Sequence, residues 1–225
     1  NDRVIWSSCM VACGDADGAV TGNTRRFGAS LDKIKQVVEA REGEIMFGLN
    51  LVVHKGKTIF VGDTSVNEYP SSEQLAEIAI STARVVRLFG FDPKVAFVSH
   101  STFGQPLTSR TKHIKNAVEI LKKKNVNFEF DGDMQPDVAL NEDYRNLYPF
   151  SKIVGNANIL IMPGQHSAAI SYKMMKTLGD TKVIGPLLIG LGLPIEIAPL
   201  RSSTSEILNL ASIAAYSADV IDYKK

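Results

Sequence analysis

The 225-residue chain predicts a layered α/β fold with a mixed sheet, on two observations. Short β-branched runs alternate with amphipathic helical segments, the pattern of strands covered by helices. One pair of runs is joined only by His54-Lys55-Gly56-Lys57, a hairpin connection, so the sheet is not wholly parallel.

The β-branched runs place strands at Gly48–Val53, Thr58–Gly62, Val95–Ser99, Asn127–Phe130, Ile159–Met162 and Val183–Ile189, with a shorter one at Ile195–Ala198. Between them, Ser71 to Phe89 repeats Leu75, Ile78, Ala79, Thr82, Val86 and Phe89 on one helical face. Ser71 and Gln74 have the spacing of a capping box at its start. Arg110 to Lys124 carries Ile114, Ala117, Val118 and Leu121 at the same period. Its closing lysines, Lys122 to Lys124, complement the helix dipole and face water. A third helix is expected over about Gln165 to Leu178, with Met174 and Met175 as core filler. The last, from Ser203, shows Ile207, Leu208, Leu210, Ala211, Ile213 and Ala214 on almost every side, which predicts a helix buried between layers or against a partner.

Hydrophobic residues make up 44% of the chain, ample for a core. The 25 basic and 24 acidic residues nearly balance, which argues against a nucleic-acid or membrane-surface partner. No apolar run reaches the roughly 18 residues of a membrane span, and VIGPLLIGLGLPI is broken by Gly and Pro. The two cysteines, Cys9 and Cys13, give no disulfide framework and have no histidine at zinc spacing, so a reduced, cytoplasmic setting is expected. The chain starts at Asn1 and moves at once into half-buried text, as expected of a piece of a longer polypeptide.

Five segments have residue types that could carry chemistry. Gly14-Asp15-Ala16-Asp17-Gly18 pairs two carboxylates that could hold a metal or polarise a substrate, but the flanking glycines favour a turn. Ser99-His100-Ser101-Thr102-Phe103-Gly104 follows a strand, where hydroxyls and backbone amides can cradle a phosphate. His100 has no partner carboxylate legible in the sequence, so the reading favours a contact by the loop over acid–base work. Met162-Pro163-Gly164-Gln165-His166-Ser167 repeats the strand–turn–helix geometry, and an ordinary turn explains it equally well. Asp131-Gly132-Asp133-Met134-Gln135-Pro136-Asp137 lacks the glycine and terminal glutamate placement of a calcium loop. It reads as turn and cap residues, with Asp137 the one expected to line a cleft. Finally, Ser203 and Glu206 fit a capping box.

Taken in order, GDADGAVTG, VNEYPSSEQLAEIA, KVAFVSHSTFG, DGDMQPDVAL, NANILIMP, SYKMM, IGPLLIGL and EILNLASIA resemble the phosphate acetyltransferase/butyryltransferase family. The stretch DGDMQPDVALNEDYRNLYPFSKIVGNANILIMP is similar to the acetyltransferase-like C-terminal domain of large bacterial NADP-dependent malic enzymes. The resemblance implies a two-lobed α/β/α fold with a mainly parallel sheet, of the type shared with isocitrate and isopropylmalate dehydrogenases. It implies a first lobe built from residues 1–20 and 191–225, incomplete here, and an inserted second lobe over 21–190. It implies acetyl-CoA, or another acyl-CoA or acyl phosphate, as ligand. NADP and a divalent metal are expected only in upstream malic domains. A homo-oligomer, most simply a dimer through the second lobe, is expected from the apolar last helix.

The family pattern before the last helix is a Ser-Arg pair, then an Asp three residues before an Asn. Aligned on Asn209, this chain has Pro199 and Leu200 at the pair and Glu206 at the Asp, with Arg201 displaced by one position. Proline has no hydroxyl and leucine no charge, so a developing anion there would go unstabilised. Where transferases carry Leu-Asn-x-Gly-Asn, this chain reads Gln165-His166-Ser167-Ala168-Ala169. The expectation is an acetyl-CoA-sensing domain without catalytic residues. Its ligand contacts would be Asp15, Ser99, Ser101, Thr102, Gly104, Gln165, His166, Ser167 and Arg201. The alternative is an active phosphate acetyl/butyryltransferase in which Arg201, Ser202 or Ser203 replaces the lost pair. A third, weaker reading is a domain that supports oligomerisation and has lost its ligand.

Overall fold

A computed structural model describes residues 2–221, apart from the side chain of Arg110. The chain forms two compact units, one ending at Leu49 and resuming at Ile184, the other running Asn50–Val183. The tail assigned from the sequence to the first lobe extends past this range, so its residues 222–225 lie outside the described residues.

The first unit opens with α1 (Arg3–Ala12), capped by the Asp2 carboxylate, which accepts the Val4 and Ile5 amides. Arg25 donates to the same carboxylate at 2.6 Å and holds its pKa below the ordinary value. Then come β1 (Ala19–Gly22) and α2 (Phe27–Ile34). After the inserted unit the chain adds β8 (Ile195–Ala198) and α8 (Thr204–Val220). β1 and β8 pair in parallel, Ala19 opposite Ile195 through Gly22 opposite Ala198. The approach is close at Gly22, where a Cβ would lie 2.4 Å from the Ala198 carbonyl oxygen. Glu196 is buried in β8, and its Oε2 accepts the Leu188 amide at 2.9 Å. Burial pushes its carboxyl pKa up to about 8.

In the second unit, β2 (Phe47–His54) and β3 (Lys57–Gly62) form the predicted hairpin. Lys55 and Gly56, both at positive φ, make its two-residue turn. After α3 (Ser72–Leu88), β4 (Lys94–Val98) and α4 (Ser109–Lys124), the chain runs through β5 (Glu129–Met134) and the short helices α5 (Pro136–Leu140) and α6 (Glu142–Arg145). β6 (Ile159–Ile161), α7 (Gln165–Leu178) and β7 (Thr181–Ile189) complete it. The six-stranded sheet has order β5-β4-β6-β3-β2-β7, with β3–β6, β6–β4 and β4–β5 parallel. The division between the units falls inside β2 and β7.

Alternation along these strands sends Val61, Ala96, Val98 and Leu160 to a core shared with Met134, Val138, Ala139 and Ala168. On α3, Leu75, Ile78, Ala79, Thr82 and Val86 are buried, as their spacing predicts. Ile114, Ala117, Val118 and Leu121 of α4 are buried too, and the capping box at Ser71 and Gln74 is formed. Lys122 and Lys124 pair with Glu119 and Glu77.

Four expectations need correction. The strand placed at Asn127–Phe130 lies at Glu129–Met134, so it absorbs Asp131 and Asp133, read as turn residues. It can do so because Gly132, at φ +150, passes Phe97 where a Cβ would meet the Phe97 Cβ at 2.8 Å. The pairing register shifts there, between Phe97 and Val98. Of the two placements expected for the last helix, burial between layers is not seen: only Leu210 and Ala214 are buried, and Leu208 is 65% exposed. Of the two methionines read as core, Met175 packs against the sheet while Met174 is exposed. Asp137 lies exposed in the first turn of α5. The sequence reading also assigned no elements to α1, β1 or α2.

Candidate functional site

The second unit holds a cavity of ≈790 Å³ among strand ends and helix starts, a volume typical of small-molecule sites. Its floor is apolar, formed by the buried Val98, Ile114 and Met162. Three loops build its rim.

The loop after β3 is organised by Asp63, whose carboxylate accepts the amides of Ser65, Val66 and Asn67 at 2.8, 3.1 and 2.6 Å. That wrap carries Glu68 and Tyr69 to the mouth. The turn after β6 packs directly on this loop. Gly164 has no Cβ, and one built there would sit 2.7 Å from the Glu68 carbonyl oxygen. The Gln165 amide donates to that oxygen at 3.3 Å. His166 Nε2 consequently lies 3.2 Å from Glu68 Oε1, and its ring stacks on Tyr69, centroids 6.1 Å apart and planes at 18°.

The loop after β4 is held from β5. Ser101 Oγ donates to the Asp133 carboxylate, Gly104 N donates to Asp133 Oδ1 at 2.9 Å, and Thr102 Oγ1 accepts the Gln135 amide at 3.3 Å. Ser99 and His100 face the cavity, with Ser99 Oγ 3.2 Å from Ser101 Oγ. Ser109 and His113 from the first turns of α4 complete the rim. There the Ser72 hydroxyl ties α3 to α4, donating to the His113 carbonyl at 2.8 Å with His113 Nδ1 3.2 Å away.

The starts of α3, α4 and α7 thus meet at one cavity, which favours an anion at the rim. Capping boxes already occupy amides at the first two helices, whereas the Gly164 cap of α7 makes no side-chain bond. An apolar floor under a polar, donor-rich rim suits an amphiphilic anion.

Of the ligand contacts expected from the sequence, Ser99, His166 and Ser167 line this cavity. Ser101, Thr102 and Gly104 do not; they are spent on Asp133 and Gln135, so they shape the loop rather than face a ligand. Gln165 contributes its backbone amide to the loop junction and is also absent from the lining, as is the exposed Asp137. Asp15 and Arg201 belong to the first unit, where both are exposed. Arg201, at φ +63, donates its amide to the Asn23 carbonyl at 3.0 Å, beyond the carboxyl ends of β1 and β8. Pro199 and Leu200 form the turn between β8 and α8, with Leu200 exposed. Glu206 is the partner of Ser203 in a complete capping box. Among the described residues no group of three His, Cys, Asp or Glu side chains is arranged to hold a metal ion, and no helix is long and apolar enough to cross a membrane.

The site residues missing from the sequence reading are Glu68, Tyr69, Ser109 and His113. Glu68 and Tyr69 sit in VNEYPSSEQ, a segment noticed only for its helix start. His113 falls on the helical face next to Ile114 and has no local signature.

The sequence profile of the phosphate acetyl/butaryl transferases matches residues 1–215. The chain belongs to this family. Among the transferase family's relatives, an NADP-dependent malic enzyme of Rhizobium meliloti is 43% identical over 217 residues, covering 96% of this chain and 28% of that protein. A phosphate acetyltransferase of Bacillus subtilis is 31% identical over 219 residues, 96% of this chain and 68% of that one. The crystal structure of a phosphotransacetylase from Streptococcus pyogenes superposes with a TM-score of 0.89 at 30% identity, over 96% of this chain and 67% of that chain. The chain therefore spans under a third of the malic enzyme it matches and about two thirds of the transferases.

Proposed function

We propose that this transferase-family chain is a non-catalytic domain that senses acetyl-CoA, or a related acyl-CoA, within an NADP-dependent malic enzyme. The observation that carries the reading is the start of α8. Where the family pattern asks for Ser-Arg and Asp, the chain has Pro199, Leu200 and Glu206, and the Glu206 carboxylate is bound to the Ser203 amide at 2.8 Å. A carboxylate that caps a helix does not meet a thiol, and Leu200 offers no charge to an acyl-phosphate transition state. The second unit nevertheless keeps a cavity with an apolar floor and an anion-favouring rim. A retained binding site without the catalytic pair is what a sensor requires. Regulation follows if the ligand binds one conformation of the enzyme better than another, a coupling of typically ~1–3 kcal/mol.

The experiment is an acetyl-transfer assay on the full-length protein, from acetyl phosphate to CoA, beside a direct acetyl-CoA binding measurement. Binding with no appreciable transfer supports the sensor. Transfer at an ordinary enzymatic rate of ~10 per second supports the competing reading, an active phosphate acyltransferase. That reading draws on Arg201, one position late, and on Ser202 or Ser203 after it, Ser202 Oγ donating to the Pro199 carbonyl at 2.9 Å.

A further inference from the structure

The mouth of the cavity carries a feature that the acyl group of a ligand does not explain. Tyr69 is 77% exposed, although a tyrosine ring of this size ordinarily finds cover. It is held in place: Pro70 behind it is buried, the Asp63 wrap fixes the loop before it, and its ring lies 6.1 Å from His166 at 18°. Two flat rings, one from the loop after β3 and one from the first turn of α7, thus form one platform, with an outer face open at the rim. Beside it, Glu68 uses Oε1 on His166 Nε2, and among the described residues Oε2 accepts no hydrogen bond.

We infer that Tyr69 and His166 form a stacking platform for a planar, amine-bearing heterocycle of the adenine type. The free oxygen of Glu68 accepts its exocyclic amine. Every base has a π-face, and stacking on an aromatic side chain is a general way to hold one. A carboxylate oxygen is the matching acceptor for an amine donor. The rest of the ligand then runs from the platform into the cavity, past Ser99 and His113, to the apolar floor. The inference rests on the acyl-CoA reading, and it assigns the nucleotide end of that ligand to a place the catalytic pattern of the family does not involve.

The test is calorimetric titration of the full-length protein with ADP, which carries the adenine and phosphates without any acyl or thiol group. Wild type is expected to bind ADP and to release it when acetyl-CoA is added. Tyr69→Ala should weaken ADP by about ten-fold or more, the effect of losing one stacked base, while Tyr69→Phe, which keeps the ring, should stay within about two-fold. Because Tyr69 is mostly exposed, the variants should fold normally. ADP failing to bind wild type, or binding Tyr69→Ala as well as wild type, overturns the platform even if acetyl-CoA binds. ADP binding that depends on Tyr69 but is not displaced by acetyl-CoA supports the platform and overturns the acyl-CoA reading instead.

Discussion

Glu206 and Ser203 satisfy each other at the start of α8: Glu206 Oε2 accepts the Ser203 amide at 2.8 Å, and Ser203 Oγ accepts the Glu206 amide at 3.3 Å. The position that aligns with an acidic residue of the transferase pattern is thereby given a structural task. Substituting Glu206→Ala should lower stability by roughly 0.5–2 kcal/mol, the usual cost of a lost cap, and leave acetyl-CoA affinity unchanged. Denaturant unfolding paired with calorimetry separates the two effects.

Glu196 gives the fold a pH dependence of definite sign. Its carboxyl pKa is raised from 4.5 to about 8 by burial, so the folded state holds a proton that the unfolded chain gives up at lower pH. The stabilisation is full below about 4.5 and is lost as pH rises to about 8, at up to roughly 1.4 kcal/mol per pH unit. Glu196→Gln, which cannot ionise, should flatten that part of the stability–pH curve. Midpoints of urea unfolding between pH 5 and 9, compared for the two proteins, measure it.

Gly132→Ala should be severe. The new Cβ would meet Phe97 at 2.8 Å on a backbone at φ +150, combining overpacking with strain that together cost at least about 2 kcal/mol. The loop after β4 should loosen with it, since Asp133 next door holds Ser101 and Gly104. Hydrogen exchange of the Gly104 amide is the specific readout.

These three sites show what was legible in the residues and what was not. Periodicity was enough for α3 and α4, because each buries a regular apolar stripe, and the Ser203–Glu206 box was readable because capping is local in sequence. The course of β5 through Asp131 and Asp133 was not, since it depends on a glycine packed against a residue thirty-five positions earlier. The cavity shows the same limit. Ser99 and His166 follow strands and were identifiable from that alone, whereas Tyr69 and His113 are brought in by tertiary packing. Ser101 and Gly104 looked like ligand contacts because a hydroxyl-rich loop looks the same whether its partner is a phosphate or Asp133.

The expected self-association has a candidate surface in the second unit. On α7, Ile170, Met174 and Leu178 recur every four residues and all are exposed, Leu178 to 80%, a contiguous stripe of a kind monomers seldom leave open. We expect a two-fold dimer by light scattering at tens of micromolar, and a shift to monomer in Leu178→Asp.

On the proposed function, acetyl-CoA bound here changes the rate of a malic enzyme elsewhere in the same polypeptide. The direct measurement is malate-dependent NADPH formation by the full-length protein as acetyl-CoA is titrated. A saturable change of about five-fold or more is predicted, the size of an ordinary allosteric coupling. It should be lost in a variant carrying Ser99→Trp, which fills the cavity. A rate that stays flat while calorimetry shows acetyl-CoA bound would contradict it.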